Sequence, residues 1–470
     1  MRVTFADGTS EDYGDTPINN GAEGEIYRSS QGNSVIKLYT NDKLPPEERA
    51  RRIDTLIHEL NPTREDSNWS ELFTWPEKRI VQPRIGFRMR FASGMKPLEH
   101  YYLPKAYKRL KPEERGWFIG HIAAAIKLVS AASRLATKGL CYPDFSGKNV
   151  LIDPFDGRMA LLDCDSLTVP GKLPPTVEGT SSFRAPEIVT RAVPIPSVKT
   201  DRHALAVLLY YWLLRWHPLL GNKIFDADDP NRDDLLRYGT QALYIEHPTD
   251  ASNRASRQVL KTSMLGPDME KLFRRAFVDS LHMPDKRPAP FQWQEALYHA
   301  YDQLLPCATP TCDWRSFVAL PDARLICPMC QQPMKQVASV PFLYLLSHNR
   351  TNDPYDYATD VSRAHYITGW QGKTLHQWHL RPDATPIYAD STRIPDTAPQ
   401  AMFEFDTRSN QWHLTNISQQ SMFFQLAGDA PNLWHTWATN TSIPLSDAMS
   451  LQFGPPPYFF RARVRIVKTG

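Results

Sequence analysis

The 470-residue sequence has no apolar run long enough to cross a lipid bilayer. Its longest such run, ALAVLLYYWLL at residues 204–214, has eleven residues, about half of what a membrane-spanning helix needs. The first residues, MRVTFADGTSEDYG, have no apolar core of the kind that a secretory signal peptide requires. These absences favour a cytoplasmic protein that does not enter a membrane, and the run at 204–214 is interpreted as a buried helix.

An excess of charge of either sign is also missing. The chain has 54 lysines and arginines against 51 aspartates and glutamates, so its formal net charge is only +3. This balance gives no electrostatic basis for binding nucleic acid or an anionic membrane. Internal repeats and low-complexity tracts are absent as well, and 41% of the residues are hydrophobic, which is typical of a folded globular protein. The length leaves room for two or three domains.

Cysteine is scarce, and four of the six cysteines lie close together. In a reducing compartment such a cluster more often binds a metal than forms disulfides. Two cysteine pairs at this separation predict a closed, structural Zn²⁺ site in a small ribbon. A reduced metal-free loop and a redox dithiol are the alternatives. The four residues form a C-x4-C…C-x2-C pattern at Cys307, Cys312, Cys327 and Cys330.

Apolar periodicity changes along the chain. Before residue 304, segments with helical spacing, such as PPEERARRIDTLIHEL and WFIGHIAAAIKLVSAASRLA, alternate with strand-like runs such as VIKLY, NVLID and MALLDCD. The cysteine pattern follows at residues 307–330. Beyond it helical spacing fades, and runs such as QWHLTNIS, SMFFQLA and YFFRARVRIV predict the strands of an all-β domain. The expected fold class is therefore α+β.

A glycine turn and a lone lysine follow each other near the N-terminus. NNGAEGEIY contains Gly21 and Gly24, and glycine lets a hairpin backbone come close to phosphates. A plain hairpin turn is the alternative. Lys37 interrupts the apolar strand VIKLY, and its flexible point charge suits the oxygens of a nucleotide's phosphates. A lysine that only extends from a strand edge to water is the alternative here.

Three oxygen-bearing side chains lie around one predicted strand–turn–strand unit. Asp144 and Asn149 belong to CYPDFSGKNVLI, which follows a long helix, and Asp163 ends the second strand in LLDCD. One carboxylate can orient or deprotonate an attacking hydroxyl, while the amide oxygen and the other carboxylate hold Mg²⁺ on phosphates. The pattern indicates phosphoryl transfer. A polar turn before a strand is the alternative.

The order of these motifs over about residues 14–304 resembles the protein-kinase fold. On the nucleotide side, Gly21 and Gly24 match two glycines of the family's Gly-rich loop. Ile26 matches the apolar residue above the adenine, and Lys37 matches the phosphate-binding lysine. The resemblance therefore implies that these residues bind ATP.

On the catalytic side, YPDFSGKN resembles the His-Arg-Asp catalytic loop and DCD resembles Asp-Phe-Gly. The resemblance implies that Asp144 is the catalytic base and that Asn149 and Asp163 hold Mg²⁺, or Mn²⁺ in its place. TDRHALAVLLYYWLL resembles the central helix of the family's large lobe. Asp201 in that helix is then expected to brace the catalytic loop.

The resemblance also implies two ion pairs. GTSSFRAPE resembles the end of an activation segment, in which Glu187 is expected to pair with Arg287 of DKRP. The other expected pair joins Lys37 to an acid of the helix that follows it. Glu48 and Glu59 both lie in that helix, so the sequence leaves the partner of Lys37 open.

Several positions depart from the family pattern. Tyr142 and Pro143 replace the catalytic-loop His and Arg, which makes control through a phosphorylated activation segment doubtful. Ser146 stands where a Lys usually contacts the transferred phosphate. Asp165 replaces the Gly of Asp-Phe-Gly and is expected to cap the following turn, with metal binding as the alternative.

The short loop GAEGEIY, the segment LLDCDSL and the cysteine ribbon directly after the kinase-like region resemble bacterial serine/threonine kinases of tellurite-resistance-type stress modules. The domains expected are a bilobal kinase-like domain at 1–304 (small lobe about 1–91, large lobe about 92–304), a four-cysteine zinc ribbon at 305–336 and a β-rich domain at 337–470. The last faintly resembles a forkhead-associated sandwich. The family resemblance implies a PPM-type phosphatase and a von Willebrand factor A-domain protein as partners.

The function expected from the sequence is a cytoplasmic serine/threonine protein kinase that uses Mg-ATP and phosphorylates proteins, itself included. The first alternative is a pseudokinase scaffold that organises partner proteins, and a small-molecule kinase of the same fold is a second. Four hydroxyl residues of the activation-segment region are expected autophosphorylation sites: Thr176, Thr180, Ser181 and Ser182.

Overall fold

The computed structural model describes residues 1–21, 23–40, 43–64, 67–334, 337–385 and 398–469. It is a mixed α+β structure, so the expected fold class is confirmed at this level. The chain forms two compact units, each built from more than one segment. The first unit consists of Met1–Arg115, Ala123–Lys261 and Lys271–Trp293, and the second of Gly116–Ile122, Thr262–Glu270 and Gln294–Gly470.

The first unit contains a seven-stranded antiparallel sheet in the order β2-β1-β6-β7-β5-β4-β3 and a three-stranded sheet in the order β10-β9-β8. The two strands nearest the N-terminus belong to the larger sheet. The strands are β1 (Arg2–Phe5), β2 (Ser10–Asp12), β3 (Asn19–Asn20), β4 (Gly24–Arg28), β5 (Ser34–Tyr39), β6 (Pro76–Gln82), β7 (Gly86–Arg90), β8 (Lys96–Pro97), β9 (Val150–Asp153) and β10 (Arg158–Leu161).

Helices form where the apolar residues have helical spacing in the sequence. The first begins at a proline, which suits the start of a helix because its missing N–H would have no partner there. The fifth has most of its side chains buried, as expected for the run at 204–214. The helices before residue 303 are α1 (Pro46–His58), α2 (Pro104–Tyr107), α3 (Phe118–Thr137), α4 (Pro186–Val189), α5 (Val198–Leu214), α6 (Pro230–Tyr238), α7 (Pro267–Arg274) and α8 (Pro290–Asp302).

Strand β5 places its lysine on the face of the sheet that α1 covers. Successive side chains of a strand point to opposite faces. Val35 and Tyr39 pack in one apolar cluster with Ile53 of α1, whereas Ile36 packs in a different cluster. Lys37 therefore points to the same side as Val35 and Tyr39, among buried side chains.

One helical stretch, Pro112–Thr137, is long and apolar enough by length and composition to cross a membrane. In the most apolar 18 residues of this stretch, 78% are buried inside the protein. That burial is typical of a core helix, whose apolar side chains already contact other parts of the chain.

The second unit is rich in β-structure, as expected for the C-terminal part. Its larger sheets are antiparallel, in the orders β14-β13-β22-β21-β18-β19 and β15-β16-β17-β20, and both contribute side chains to one apolar core. Its elements are β11 (Leu304–Pro306), β12 (Ser316–Val318), β13 (Ser339–Leu346), β14 (Tyr366–Thr368), β15 (Thr374–His376), α9 (Gln377–Leu380), β16 (Pro399–Asp406), β17 (Gln411–Asn416), β18 (Met422–Gln425), β19 (His435–Trp437), β20 (Ser442–Pro444), β21 (Ser450–Gln452) and β22 (Arg461–Lys468).

The division between the units does not coincide with the boundary expected at residue 304. Asp302, near the end of α8, accepts a 2.8 Å hydrogen bond from His365 Nε2 and lies 3.1 Å from His379 Nε2. Burial alone would raise the pKa of Asp302, but the neighbouring imidazoles hold it well below the usual range. This buried polar cluster joins the end of α8 to the β-rich core of the second unit.

Candidate functional site

The glycine turn is required by the sheet itself. A Cβ on Gly24 would lie 2.5 Å from the carbonyl oxygen of Leu38, on the neighbouring strand β5. A Cβ on Gly21 would meet only the carbonyl oxygen of Gly24, at an ordinary 3.7 Å. Ile26 stands opposite Lys37 in the β4–β5 pairing and is half-buried. The close approach that requires glycine is therefore between the two strands. This favours the alternative in which Gly24 belongs to a plain hairpin turn.

The Lys37 ammonium lies among three carboxylates. Its Nζ is 2.9 and 2.8 Å from the two carboxylate oxygens of Asp165, 3.5 Å from Asp163 Oδ1 and 4.0 Å from Glu23 Oε2. The lysine side chain is only 5% exposed. Lys37 is thus a buried, paired lysine, which excludes the alternative of a side chain that reaches water from a strand edge.

The partner of Lys37 is neither of the helix glutamates considered in the sequence. Glu59 instead pairs with Lys172. Asp165 is also not a turn cap: its carboxylate, besides binding Lys37, accepts a 2.6 Å hydrogen bond from the Tyr39 hydroxyl. The expectation that Asp165 caps a turn is wrong because its side chain points into the protein rather than along the backbone.

The Lys37–Asp165 pair is ionised at neutral pH. Burial alone would lower the pKa of Lys37, but the charges of Asp165 and Asp163 outweigh it and hold that pKa above its usual range. Burial would likewise raise the pKa of Asp165, but the Lys37 ammonium and the Tyr39 hydroxyl lower it. Each charge therefore maintains the other in a region with little water.

Asp144 is held through both carboxylate oxygens. Its Oδ1 accepts hydrogen bonds from the backbone N–H and the hydroxyl of Thr180, at 2.9 and 2.7 Å. Its Oδ2 accepts from Asn149 Nδ2 at 2.9 Å and lies 3.0 Å from Lys148 Nζ. Burial alone would raise the pKa of Asp144, but Thr180 and Lys148 outweigh it and lower that pKa. Asp144 is an oriented, ionised acceptor.

Asn149 and Asp163 lie at the same end of the β9–β10 hairpin. Val150 pairs with Leu161, and the backbone N–H of Leu162 donates a 2.8 Å hydrogen bond to the carbonyl oxygen of Asn149. The turn of the hairpin is at the other end. The chain thus brings these two predicted metal-binding residues to the open end of one hairpin, as the motif order requires.

Asp163 has an unusual backbone and an accessible side chain. Its φ of 47° and ψ of 38° place it in the left-handed region, which Asp tolerates better than most residues. Its side chain is 48% exposed, whereas that of Asp165 is 3% exposed. The two aspartates of DCD therefore have different environments: one carboxylate is open to solvent and the other is enclosed with Lys37.

Asp201 contacts the loop that it was expected to brace. Its Oδ2 accepts a 2.7 Å hydrogen bond from the Tyr142 backbone N–H, and its Oδ1 lies 3.1 Å from Cys141 Sγ. Burial raises the pKa of Asp201 to about 8. The Tyr142 hydroxyl donates to the carbonyl oxygen of Leu162 at 2.6 Å, so this residue ties the loop to the end of β10.

The expected ion pair between Glu187 and Arg287 is confirmed. The Arg287 guanidinium donates two parallel hydrogen bonds of 2.7 Å to the Glu187 carboxylate, and Arg287 is only 1% exposed. Arg287 Nη2 also donates to the carbonyl oxygen of Leu281. A bidentate, buried pair of this kind fixes the segment after Thr180 in one position.

The four clustered cysteines come together in the second unit. Cys307 Sγ lies 3.5 Å from Cys330 Sγ, and Cys312 Sγ lies 3.7 Å from Cys327 Sγ. All four sulfur atoms lie within 4.8 Å of one another. The predicted cluster is therefore confirmed as a group that is close enough to bind one metal ion.

Sequence reasoning missed several contacts of the site. Lys148 supplies a cation beside Asp144, although Ser146 occupies the position where the family pattern has lysine. Arg52, on α1, donates to the backbone carbonyl of Asp165 at 2.8 Å. The only signal for Asp165 in the sequence is an acid at the third position of DCD, where the family pattern has Gly.

The chain matches no protein-family model and no curated protein.

We expect Gly24→Ala to destabilise the first unit. The added methyl would lie 2.5 Å from a backbone oxygen of β5, so strand separation has to increase, at a cost of about 1–3 kcal/mol in the free energy of unfolding. Urea denaturation measures this cost. Gly21→Ala is the matched control and should leave stability almost unchanged. Equal stability of the two variants would contradict the close approach at Gly24.

We expect Thr180→Val to destabilise the protein at neutral pH and much less in acid. The lost hydroxyl bonds a carboxylate, and such a bond contributes about 1.5–3 kcal/mol. Because the folded-state pKa of Asp144 is lowered, its stabilising effect is present above the unfolded pKa and is lost as the pH falls. Urea denaturation at several pH values should therefore show a difference from the wild type that is maintained down to about pH 4 and shrinks as the pH falls further. A difference in stability that does not change with pH would contradict a stabilising hydrogen bond from Thr180 to the ionised Asp144 carboxylate.

Proposed function

We propose that the first unit is a protein-kinase-like domain that transfers phosphate from Mg-ATP to serine and threonine hydroxyls of proteins, its own included. One observation carries the proposal. Asp144 and Asn149 are hydrogen-bonded at the open end of the β9–β10 hairpin, where Asp163 follows β10 and contacts Lys37. The proposal thus rests on two contacting pairs, Asp144 with Asn149 and Asp163 with Lys37, that meet at one end of one hairpin.

The residues present fit a magnesium ion. Mg²⁺ prefers oxygen ligands and usually takes one or two carboxylates together with substrate phosphates. Asp163 offers a carboxylate that is 48% exposed, and Asn149 offers an amide oxygen that is not used in its bonds to Asp144. Mg²⁺, when bound, would neutralise charge on the phosphates. Asp163 and Asn149 are the residues that would hold it.

The other side chains would position the reactants. Asp144 is ionised and oriented, so it can accept a hydrogen bond from a substrate hydroxyl and take its proton. As the hydroxyl oxygen bonds to the γ-phosphorus of ATP, the bond from that phosphorus to the bridging oxygen breaks and ADP leaves. The Lys37 ammonium would hold phosphate oxygens. Lys148, 3.0 Å from Asp144, supplies positive charge beside the reacting group.

A pseudokinase scaffold is the second candidate, and one observation favours it. Both carboxylate oxygens of Asp144 already accept hydrogen bonds from protein groups, two of them from Thr180. A substrate hydroxyl would have to share or displace one of these partners. In this alternative the protein binds nucleotide without transferring phosphate, and it organises partner proteins through the four-cysteine ribbon and the β-rich C-terminal part.

We expect the purified full-length protein to transfer labelled phosphate from ATP, with Mg²⁺ or Mn²⁺, to itself or to a generic protein substrate. Asp144→Asn and Asp163→Asn should each reduce incorporation at least about a hundredfold, because the first removes the base and the second a metal ligand. Incorporation is measured by autoradiography after electrophoresis, with phosphosites located by mass spectrometry.

Asp156→Asn is the matched control for these variants. Asp156 lies in the turn at the other end of the same hairpin and pairs with Arg158 at the surface. It should keep wild-type activity. Absence of phosphate transfer by the wild type, with nucleotide binding retained, would favour the scaffold. Equal incorporation by Asp144→Asn and the wild type would contradict the proposed role of Asp144.

We further propose that the four clustered cysteines bind one structural Zn²⁺. Thiolates at about 2.3 Å from a tetrahedral Zn²⁺ are separated by about 3.8 Å. Two of the sulfur pairs are 3.5 and 3.7 Å apart, which supports this geometry. With four protein ligands no position remains for substrate, so the ion would hold the ribbon together rather than take part in a reaction.

We expect one equivalent of zinc per chain in protein purified without added metal. Cys327→Ser and Cys330→Ser should each lose most of it, because three thiolates bind the ion less tightly than four. Mass spectrometry of the metal content measures the stoichiometry, and Cys164→Ala is the control that should keep its zinc. Less than half an equivalent in the wild type would contradict the site.

The resemblance to tellurite-resistance-type kinase modules supports a wider proposal. The protein would act in the cytoplasm with a PPM-type phosphatase and a von Willebrand factor A-domain protein. The β-rich part of the second unit, whose two larger sheets share one apolar core, would serve as a protein-docking module. A forkhead-associated-like sandwich belongs to this same proposal.

A further inference from the structure

We propose that Asp165 is the residue that positions Lys37 for the nucleotide, in place of an acid from helix α1. The inference rests on the proposed phosphoryl transfer and concerns how the phosphate-binding lysine is held there. Asp165 is a positioning residue, because it contacts Lys37 and not the reacting atoms.

The contacts of Asp165 suit this role closely. Both of its carboxylate oxygens lie within 2.9 Å of Lys37 Nζ, and one of them also accepts a hydrogen bond from the Tyr39 hydroxyl. Asp163 and Glu23 are farther from the ammonium, at 3.5 and 4.0 Å. Asp165 is thus the closest and most enclosed partner of the lysine, and it leaves the more exposed Asp163 available for a metal ion.

Helix α1 contributes a cation rather than an acid to this region. The acids within 4.0 Å of the Lys37 ammonium, among the described residues, are the three already named, and none of them belongs to α1. From α1, the buried Arg52 instead donates hydrogen bonds of 2.6–2.9 Å to three backbone carbonyls. These carbonyls belong to Asp165, Leu167 and Pro174.

This arrangement links two functions to one short segment. The acid that holds Lys37 is two residues from Asp163, the proposed metal ligand. A shift of residues 163–165 would therefore disturb the lysine and the metal site together. Arg52 attaches α1 to the same segment through hydrogen bonds. The helix therefore contacts the segment that carries Asp165, but it does not itself supply the acid that pairs with Lys37.

The test compares ATP affinity of the full-length wild type, Asp165→Asn and Asp163→Asn by titration calorimetry, with Mg²⁺ and with EDTA. Loss of the Asp165 charge leaves the buried ammonium without its main partner. We therefore expect Asp165→Asn to weaken binding about tenfold or more in both conditions. Asp163→Asn should weaken binding mainly when Mg²⁺ is present, because it removes a metal ligand.

Two further variants separate positioning from folding. Tyr39→Phe keeps the carboxylate and removes one hydrogen bond, so it should weaken ATP binding in the same direction but by less, even if Asp165→Asn does not fold. Asp156→Asn should bind as the wild type does. A merely structural role would lower the melting temperature of Asp165→Asn and Tyr39→Phe while the affinity of the folded protein stays unchanged.

The outcomes distinguish the inference from the proposed function. Wild-type affinity in folded Asp165→Asn, or in Tyr39→Phe where Asp165→Asn does not fold, overturns the positioning role and leaves the kinase proposal intact. Tighter binding by Asp165→Asn also overturns it, because Asp165 would then compete with phosphates for Lys37. Failure of the wild type to bind ATP at all would overturn the proposed function, and with it the inference.

Discussion

The buried ammonium of Lys37 is the constraint on which the arrangement of the first unit depends. Taking an unpaired charge out of water is costly, so the fold has to bring an anionic partner to the middle of a sheet. Asp165 supplies it from a distant part of the chain, and Tyr39 completes the hydrogen bonding of that carboxylate. The sheet and the β9–β10 hairpin are therefore joined by a charge pair, and Asp163 is placed beside it.

Around this pair, the remaining site is fixed by hydrogen bonds from elements far apart in the sequence. Asp201 holds the loop that carries Asp144, and Thr180 holds the Asp144 carboxylate. The buried bidentate pair of Glu187 and Arg287 then fixes the segment that follows Thr180. Because these contacts are oriented and largely screened from water, the carboxylate is presented in one geometry. Such a preorganised acceptor would suit the proton transfer that the proposed kinase activity requires.

Much of this could be predicted from order and spacing. The α+β class, the main helices and strands, the cysteine cluster and the pair of Glu187 with Arg287 all follow from local patterns or from the order of motifs. The division between the two units, between Trp293 and Gln294 inside α8, could not, because Asp302 contacts histidines of the second unit more than sixty positions away. The helical spacing of apolar residues continues through α8. It does not indicate that the first residues of this helix pack in one unit and the rest in the other.

The sequence by itself determined which chemical groups are available: a lysine in an apolar strand, two carboxylates and one amide near one hairpin, and four clustered thiols. It also determined the secondary structure that carries them, since periodicity and turn residues act over a few positions. Only the tertiary structure decided which acid meets Lys37. Glu48, Glu59 and Asp165 are chemically similar, and the choice among them depends on burial and distance, which arise when segments more than a hundred residues apart pack together.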